Sequence, residues 1–138
     1  MSWVFDSNVF IYHLNGQLGA AGISLLRAGL LRGGAYSVIS RIEVLGFAQP
    51  EAELATAAAL FAGLQPIAVD DAVITESIRL RRTRKIKIPD ALIAASALTR
   101  GLPLVTHNLA DFQWISGLTL IDPERQTTPC RQAQEPQP

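Results

Sequence analysis

The sequence contains a single cysteine, Cys130, among its 138 residues. One cysteine cannot form a disulfide within the chain or build a multi-cysteine zinc site, which excludes both as the basis of function. This scarcity favours a reducing, cytoplasmic compartment. Residues 1–6 show no basic segment before the first acid, so no signal peptide is expected. The alanine-rich stretch 54–64 is too short to span a bilayer, and no membrane partner is expected.

Net charge of either sign is also absent, because 12 Lys and Arg residues balance 12 Asp and Glu residues. The total charge therefore predicts no general attraction to nucleic acids or membranes. Glycine-rich phosphate loops are missing, which disfavours nucleoside triphosphates and NAD as ligands. No Gly-x-Ser-x-Gly motif or reactive cysteine accompanies His13 or His107, so both are expected to be structural residues or to lie on the rim of a site. Aromatic residues, 7% of the chain, are scattered and predict no stacking platform for single-stranded RNA.

The sequence does contain enough apolar material for one packed domain. Hydrophobic residues make up 49% of the chain and charged residues 17%, as is usual for a globular fold of this length. Beyond residue 123 the composition changes to Gln, Pro, Thr and Arg without apolar periodicity. We therefore predict a folded domain over residues 1–123 and a flexible polar tail over residues 124–138.

Short apolar runs alternate with helical patterns along this domain. The runs predicted to be strands are residues 3–5, 35–39, 67–69, 104–105 and 118–121. Each run is apolar throughout, which is typical of strands in a parallel sheet that is covered by helices on both faces. We predict an α/β protein with three layers and a five-stranded parallel sheet.

The helical patterns also predict which side chains face the core. The side chains expected to point inward are those of Ile23, Leu25, Leu26, Leu30, Leu31, Ala72, Ile74, Ile78 and Leu80. For Leu25, Leu26, Leu30 and Leu31, the alternative is that some of them line a groove that contacts a partner protein. A further helix is predicted to begin at Ser40, where Ser40 and Glu43 fit the capping-box pattern. Another is predicted over residues 91–99, behind Pro89 and Asp90.

Acidic residues stand just past the ends of several predicted strands. Asp6 follows the first strand, Asp70 and Asp71 follow the third, and Asp111 lies shortly after the fourth. Because the carboxyl ends of parallel strands share one edge of the sheet, where open α/β sheets bind ligands, these acids can converge.

Two more acids belong to the same candidate edge. Glu43 lies one helical turn after the second strand, and Asp90 opens the helix that leads into the fourth. Taken singly, each acid also fits a structural role: Asp6 and Asp111 suit helix caps, Glu43 suits the capping box, and Asp90 suits the positive end of a helix dipole. Both interpretations stay open for each residue alone.

Taken together, the acids favour a bound cation. Two carboxylates about 5 Å apart repel by roughly 3 kcal/mol at an effective dielectric constant near 20. Few basic side chains lie near these acids in the sequence, and neither Arg41, near Glu43, nor His107, near Asp111, could neutralise four carboxylates. Oxygen ligands without cysteine suit Mg²⁺ or Mn²⁺, which support phosphate chemistry by polarising a phosphoryl oxygen and activating water.

Four motifs follow one another along the chain. They are VFDSNV at residues 4–9, SRIEVLG at 40–46, IPDALIAA at 88–95 and VTHNLADF at 105–112. In this order and spacing they resemble the PIN domain, and within it the bacterial VapC-type toxins, which are ribonucleases. The resemblance extends from Val4 to about Asp122. It implies a PIN-like fold with a five-stranded parallel sheet, metal-dependent hydrolysis of RNA, a cognate antitoxin as partner and a homodimer.

The resemblance also implies roles for Asp6, Glu43, Asp90 and Asp111, which we call the acidic quartet. Asp6 and Asp90 would bind Mg²⁺ or Mn²⁺ directly, and Asp111 would support a metal directly or through water. Glu43 would orient or deprotonate the attacking water.

One position departs from the family pattern, since many PIN domains carry an acid where this chain has Asn108. The fourth role can therefore be shared between Asn108 and Asp111, and the number of metal ions stays open. Ser7 and Thr106 are expected to contribute hydroxyl groups to the hydrogen-bond network of the site.

Half of the basic residues lie within nine positions that contain no acid. This basic segment comprises Arg79, Arg81, Arg82, Arg84, Lys85 and Lys87. A solvated helix end is one interpretation, because basic residues at a helix C-terminus favour its dipole. The other is attraction to the RNA backbone close to Asp90, with Arg79, Arg82, Arg84 and Lys85 as the predicted contacts.

The sequence therefore predicts a cytoplasmic, Mg²⁺-dependent endoribonuclease, and the resemblance implies that it is the toxin of a VapBC-type pair. Two alternatives stay open. One is a phosphotransfer or phosphatase-like domain with Asp6 or Asp70 as phosphate acceptor. The other is a PIN scaffold that binds RNA or protein without cutting.

Overall fold

The computed structural model describes residues 2–47 and 49–125. The strands are β1 (Val4–Phe5), β2 (Ala35–Ser37), β3 (Gln65–Ile67), β4 (Leu104–Val105) and β5 (Leu120–Ile121). The helices are α1 (Ser7–Leu14), α2 (Ala20–Arg32), α3 (Val38–Leu45), α4 (Glu51–Ala62), α5 (Asp71–Thr83), α6 (Ile88–Arg100) and α7 (Leu109–Phe112). Apart from Glu124 and Arg125, the predicted tail lies outside the described residues. No helix in the part described is long and apolar enough to cross a membrane.

The five strands form one parallel sheet in the order β3-β2-β1-β4-β5. The chain builds outward from β1 to β2 and β3, and then returns to the other side of β1 for β4 and β5. This reversal places a topological switch point between β1 and β4, where Val4 pairs with Leu104 and Phe5 with Val105. Ligands bind α/β sheets in the crevice outside the carboxyl ends of such strands.

The sheet separates two hydrophobic cores, because neighbouring residues of a strand point to opposite faces. Val4 and Leu104 contribute to a core that also contains buried residues of α5 and α6. Phe5 and Val105 contribute to the other, which contains buried residues of α1, α2 and α4. The predicted three-layer α/β fold with a five-stranded parallel sheet is confirmed.

The predicted N-cap of α3 was wrong by three residues. The second strand ends at Ser37 rather than at residue 39, and the Ser37 side chain caps the helix by accepting a hydrogen bond from the Ile39 amide at 3.2 Å. Ser40, predicted to be the cap, is a fully buried residue within α3. The capping box with Glu43 therefore does not form, and the Glu43 side chain has another partner.

Two other element positions differ from the prediction. Strand β3 covers residues 65–67 instead of 67–69, and Pro66 lies inside it. Proline is tolerated there because β3 is an edge strand with one side unpaired. Strand β5 is two residues shorter than predicted, and α6 begins at Ile88, so that Asp90 lies in its first turn.

The predicted inward faces of two helices were partly wrong. On α5 the buried residues are Val73, Ser77 and Leu80, whereas Ile74 and Ile78 are 42% and 54% exposed. On α2 the buried residues are Gly22, Leu26 and Gly29, while Leu31 is 80% exposed and Ile23 and Leu30 are also exposed. The reason on α2 is close backbone packing. A Cβ atom on Gly29 would lie 2.6 Å from the Phe5 ring, so the glycine side of the helix faces the sheet.

Candidate functional site

Asp6 and Thr106 lie side by side at the switch point, directly after β1 and β4. Asp6 is the N-cap of α1, and its Oδ1 accepts a hydrogen bond from the Ser7 amide at 2.7 Å. Its Oδ2 accepts one from the Thr106 hydroxyl at 2.8 Å. Asp6 is only 4% exposed and Thr106 is fully buried. Each carboxylate oxygen keeps a second lone pair for a further ligand, so the cap and a binding role are compatible.

Glu43 reaches the same edge from α3. The Ser7 hydroxyl donates to Glu43 Oε1 at 2.6 Å and lies 2.9 Å from the buried Ser40 hydroxyl. The Ser40 hydroxyl can donate to Ser7 while Ser7 donates to Glu43, since a serine oxygen both donates and accepts. This chain of three side chains orients one oxygen of Glu43 next to the start of α1. Sequence patterns suggested the wrong partner for Glu43 because capping boxes are local and this contact spans 36 positions.

Asp90, in the first turn of α6, and Asp111, on α7, complete the quartet. Burial raises the pKa of Asp90, and the negative charges of Asp111 and Glu43 raise it further, while Lys87 lowers it. Asp90 is partly buried, whereas Glu43 and Asp111 are exposed. The structure thus places the four acids at one edge of the sheet, where the charge of Asp90 interacts with the other three and that of Asp6 with Glu43.

The Asp6 carboxyl group is the most strongly perturbed of the four. Burial raises the pKa of Asp6 to about 6, against the lowering effect of its hydrogen bonds to Thr106 and Ser7. The charges of Asp90 and Glu43 also contribute to this raised value. A buried carboxylate that is surrounded by like charges is costly, and such groups are concentrated at functional sites.

Among the described residues no basic side chain forms an ion pair with this negative charge, and Lys87 acts on Asp90 only through its charge at longer range. The ion pairs of the described residues join Arg79 to Glu76, Arg100 to Asp70 and His107 to Glu124, and none includes a member of the quartet. In this part of the chain no three His, Cys, Asp or Glu side chains form a ready-made metal site. The donor set nevertheless fits Mg²⁺, which is commonly held by one or two carboxylates together with water.

Asp70 and Asp71 lie outside this group. Asp70 caps α5 through a hydrogen bond from the Val73 amide at 3.0 Å and receives another from Arg100 at 3.3 Å. Arg100 is at the C-terminal end of α6, ten residues and therefore about 15 Å along the helix from Asp90. Asp71 lies in the first turn of α5. The sequence offered Asp70 or Asp71 as members of the acidic edge, whereas the structure gives Asp70 a structural role as the cap of α5.

Asn8 and His107 connect the two sides of the switch point. The Asn8 side chain donates to the Thr106 hydroxyl at 3.4 Å and accepts a hydrogen bond from the His107 amide at 3.3 Å. The His107 ring stacks on Tyr12 with centroids 3.8 Å apart, and its Nε2 lies 2.5 Å from Glu124 Oε2. The histidine is thus held in place on the rim. Sequence reasoning missed the contributions of Asn8, Tyr12 and Glu124, because each partner is distant along the chain.

Asn108 precedes α7, is exposed, and makes no capping hydrogen bond with its side chain. Its amide donates to the Thr106 hydroxyl at 3.0 Å, so the backbone of Asn108 supports the site. Of Asn108 and Asp111, Asp111 is the one whose charge acts on Asp90.

The basic segment covers the end of α5 and the loop that leads to Asp90. Arg79 pairs with Glu76, and Arg81 donates to the Ile86 carbonyl. Arg82 and Lys85 are exposed to solvent. Arg84 lies over the Trp114 ring, 5.1 Å from its centroid. Arg79 and Arg81 are therefore used in contacts close by in the sequence, Arg84 contacts Trp114, and Arg82 and Lys85 remain exposed.

Fold and site together define an α/β protein with a carboxylate-rich site at the switch point of a parallel sheet. The family model of the PIN domain matches residues 3–115, and the chain belongs to this family. The resemblance predicted from the four motifs is confirmed. PIN domains are generally nucleases and generally use divalent metal ions.

Solved structures share this fold over most of the chain. A toxin–antitoxin complex from Klebsiella pneumoniae is 27% identical, with a TM-score of 0.75, and the match covers 90% of this chain and 99% of that one. DNA-bound VapBC from Salmonella typhimurium is 22% identical with a TM-score of 0.77, covering 89% and 98%. FitAcB from Neisseria gonorrhoeae is 21% identical with a TM-score of 0.68, covering 89% and 98%. A search of curated proteins found no match.

Proposed function

We propose that the protein is a Mg²⁺-dependent endoribonuclease that hydrolyses phosphodiester bonds of RNA at the acidic quartet. The observation that carries this proposal is the mutual influence of the four carboxylates at the switch point. Charges of neighbouring acids raise the pKa values of both Asp6 and Asp90. Family membership supports nuclease chemistry at this edge.

Asp6 and Asp90 are the proposed direct ligands of Mg²⁺ or Mn²⁺, with Asp111 as a further ligand or a partner of the bound water. A divalent ion held there would supply charge to stabilise the phosphoryl oxygens and to lower the pKa of a bound water. Glu43, oriented by the Ser7 hydroxyl at 2.6 Å, is placed to accept a proton from the attacking water. Thr106 fixes the Asp6 carboxylate through its hydrogen bond.

The RNA is proposed to approach along the basic segment. Arg82, Arg84 and Lys85 are exposed, and Lys87 lies close enough to lower the pKa of Asp90. Cationic side chains provide the salt-dependent attraction to phosphates that an acidic site lacks. Arg79 is the weakest of the predicted contacts, because Glu76 already neutralises it.

The biological role that we propose is that of a cytoplasmic toxin silenced by a cognate antitoxin. Its support is the toxin–antitoxin complex from Klebsiella pneumoniae, because the match between the two chains covers 99% of the chain from that complex.

The proposal includes a homodimer. Exposed Ile74, Ile78 and Ile88 on α5 and α6 offer apolar surface for such an interface, which light scattering at several concentrations can detect.

The direct test is cleavage of single-stranded RNA by the purified protein. We expect cleavage in Mg²⁺, loss of cleavage in excess EDTA, and recovery when Mg²⁺ or Mn²⁺ is added back. Cleavage that persists in EDTA would contradict the metal requirement. Binding of RNA without any cleavage in Mg²⁺ would instead identify a non-cutting scaffold.

Replacement of Thr106 by valine tests the support of Asp6. Valine has nearly the same shape but no hydroxyl, so Asp6 loses the hydrogen bond at 2.8 Å. We expect the cleavage rate or the Mg²⁺ affinity to fall by about 10- to 100-fold, as is usual when a group that orients a metal ligand is removed. Thr106→Ser retains the hydroxyl and should keep most of the activity. Equal loss in both variants would mean that packing, not the hydrogen bond, is what matters.

A further inference from the structure

Arg84 and Trp114 form a cation–π pair beside the acidic quartet. The Arg84 guanidinium carbon lies 5.1 Å from the centroid of the Trp114 ring. Trp114 is partly buried and packs against the core on the α5 and α6 face of the sheet. The Arg84 amide donates to the Leu80 carbonyl at 3.2 Å, which ties the arginine to the end of α5. Both members of the pair therefore have a fixed base, while the arginine is exposed.

The pair is connected to two members of the quartet. Trp114 Nε1 donates to the carbonyl oxygen of Asp111 at 2.9 Å, which attaches the ring to the helix that carries this acid. Arg84 lies in the loop that runs from α5 to α6, and Asp90 is in the first turn of α6. An RNA strand bound at the quartet would therefore pass close to the Arg84–Trp114 pair.

The chemistry of the pair suits a nucleobase. Proteins recognise single-stranded RNA by stacking its bases on aromatic rings or on the plane of an arginine guanidinium. Arg84 makes no ion pair with a carboxylate among the described residues, so its outer face is not used by an acid. Arg82 and Lys85, its exposed neighbours, have no cation–π contact with an aromatic ring among the described residues, and they suit phosphates instead.

We propose that the Arg84 guanidinium, supported by the Trp114 ring, is a stacking site for a base of single-stranded RNA that flanks the cleaved phosphate. This inference rests on the proposed ribonuclease function. It also replaces the expectation that the chain has no stacking platform. Sequence inspection could not detect this platform because its two members are 30 positions apart.

The test compares Arg84→Lys with the removal of single bases from the RNA. Lysine keeps the positive charge but has no planar group on which a base can stack. Binding is measured in an Asp90→Asn background, to prevent cleavage, by fluorescence anisotropy. The probes are a short single-stranded RNA and a series of the same RNA with one abasic residue at successive positions.

We expect that one abasic position weakens binding about tenfold when Arg84 is present, in line with the usual contribution of a stacked base. With Arg84→Lys, intact RNA should bind about tenfold more weakly, and the same abasic residue should cause no further loss. Arg32→Lys, the same change at the end of α2, is the matched control and should retain the abasic effect. If the abasic residue also weakens binding by Arg84→Lys, so that this substitution lowers the affinity for intact and abasic RNA equally, the stacking site is refuted.

Two variants of Trp114 separate support of Arg84 from support of Asp111. Trp114→Phe keeps an aromatic ring under the arginine but loses the hydrogen bond to the Asp111 carbonyl. Trp114→Leu loses both. We expect the abasic residue to weaken RNA binding by the phenylalanine variant, as it does for the unsubstituted Trp114, but not binding by the leucine variant. Equal losses would assign Trp114 to the positioning of Asp111 and overturn its role in stacking. Failure of the ribonuclease proposal is recognised separately, because the unsubstituted protein would then not cleave RNA in Mg²⁺.

Discussion

Replacement of Asp6 or Asp90 by asparagine is expected to lower the rate of RNA cleavage by about a thousandfold or more. A bound divalent ion contributes several kcal/mol to transition-state stabilisation, and about 1.4 kcal/mol corresponds to tenfold in rate. Asparagine preserves shape and can still cap α1 at position 6, but it removes the negative charge that holds the ion. Initial rates at saturating RNA, measured over a range of Mg²⁺ concentrations, provide the test.

Asp70→Asn is the matched control for these variants. It makes the same chemical change at a helix N-cap, but Asp70 pairs with Arg100 near the other end of α6. We expect its cleavage rate to stay within about twofold of the unsubstituted protein, since asparagine caps a helix as well as aspartate does. If Asp6→Asn or Asp90→Asn retained full activity with an intact fold, the assignment of the metal ligands would be wrong. A large loss in Asp70→Asn would revive its role as a phosphate acceptor.

The parts of the structure that the sequence predicted follow from repeating local patterns. Apolar runs at Val4–Phe5 and Leu104–Val105 mark strands buried on both faces, and Asp6 directly after the first run marks where that strand ends. In a parallel sheet all such ends share one edge, so local patterns were sufficient to bring together Asp6 and Asp111. The motif around Asp90 added the position that strand ends alone did not provide.

The parts that could not be predicted depend on contacts between distant positions. Ser37 and Ser40 are both serines that could serve as an N-cap. The choice depends on where β2 ends, and it ends at Ser37. The 36-residue separation of Ser7 and Glu43 and the 99-residue separation of Asn8 and His107 leave no periodic signal. The wrong inward face of α2 has the same origin, because the approach of Gly29 to Phe5 is a tertiary contact.

The site should also lower the stability of the metal-free protein at neutral pH. The Asp6 pKa is raised from 3.8 to about 6 in the folded state, so the folded state binds more protons than the unfolded state between these pH values. Stability then rises as pH falls through about 6, and the gain is complete below the unfolded value. At pH 7 the charged Asp6 costs about 3 kcal/mol, since one pKa unit corresponds to about 1.4 kcal/mol.

Asp6→Asn is therefore expected to raise the free energy of unfolding of the EDTA-treated protein by up to about 3 kcal/mol at pH 7. The gain should shrink as pH falls from 7 to 4, because Asp6 itself becomes neutral in the folded protein. Urea unfolding of both proteins at pH 7, 5 and 4 measures this difference, with Asp70→Asn as a control that should show no such gain. Destabilisation by Asp6→Asn at pH 7 would mean that the hydrogen bonds from Ser7 and Thr106 outweigh burial and repulsion.

Addition of Mg²⁺ should make the unsubstituted protein more stable to unfolding than Asp6→Asn, the reverse of their order in EDTA. An ion that binds only the folded state stabilises it by an amount that grows with the logarithm of its concentration. The unsubstituted protein, which keeps both proposed ligands, should gain stability with Mg²⁺ at pH 7, whereas Asp6→Asn should gain little. The same substitution would then abolish cleavage and stabilise the metal-free fold. That combination is expected if the Asp6 charge is present to bind a cation and not to support the fold, and a structural capping role alone would not produce it.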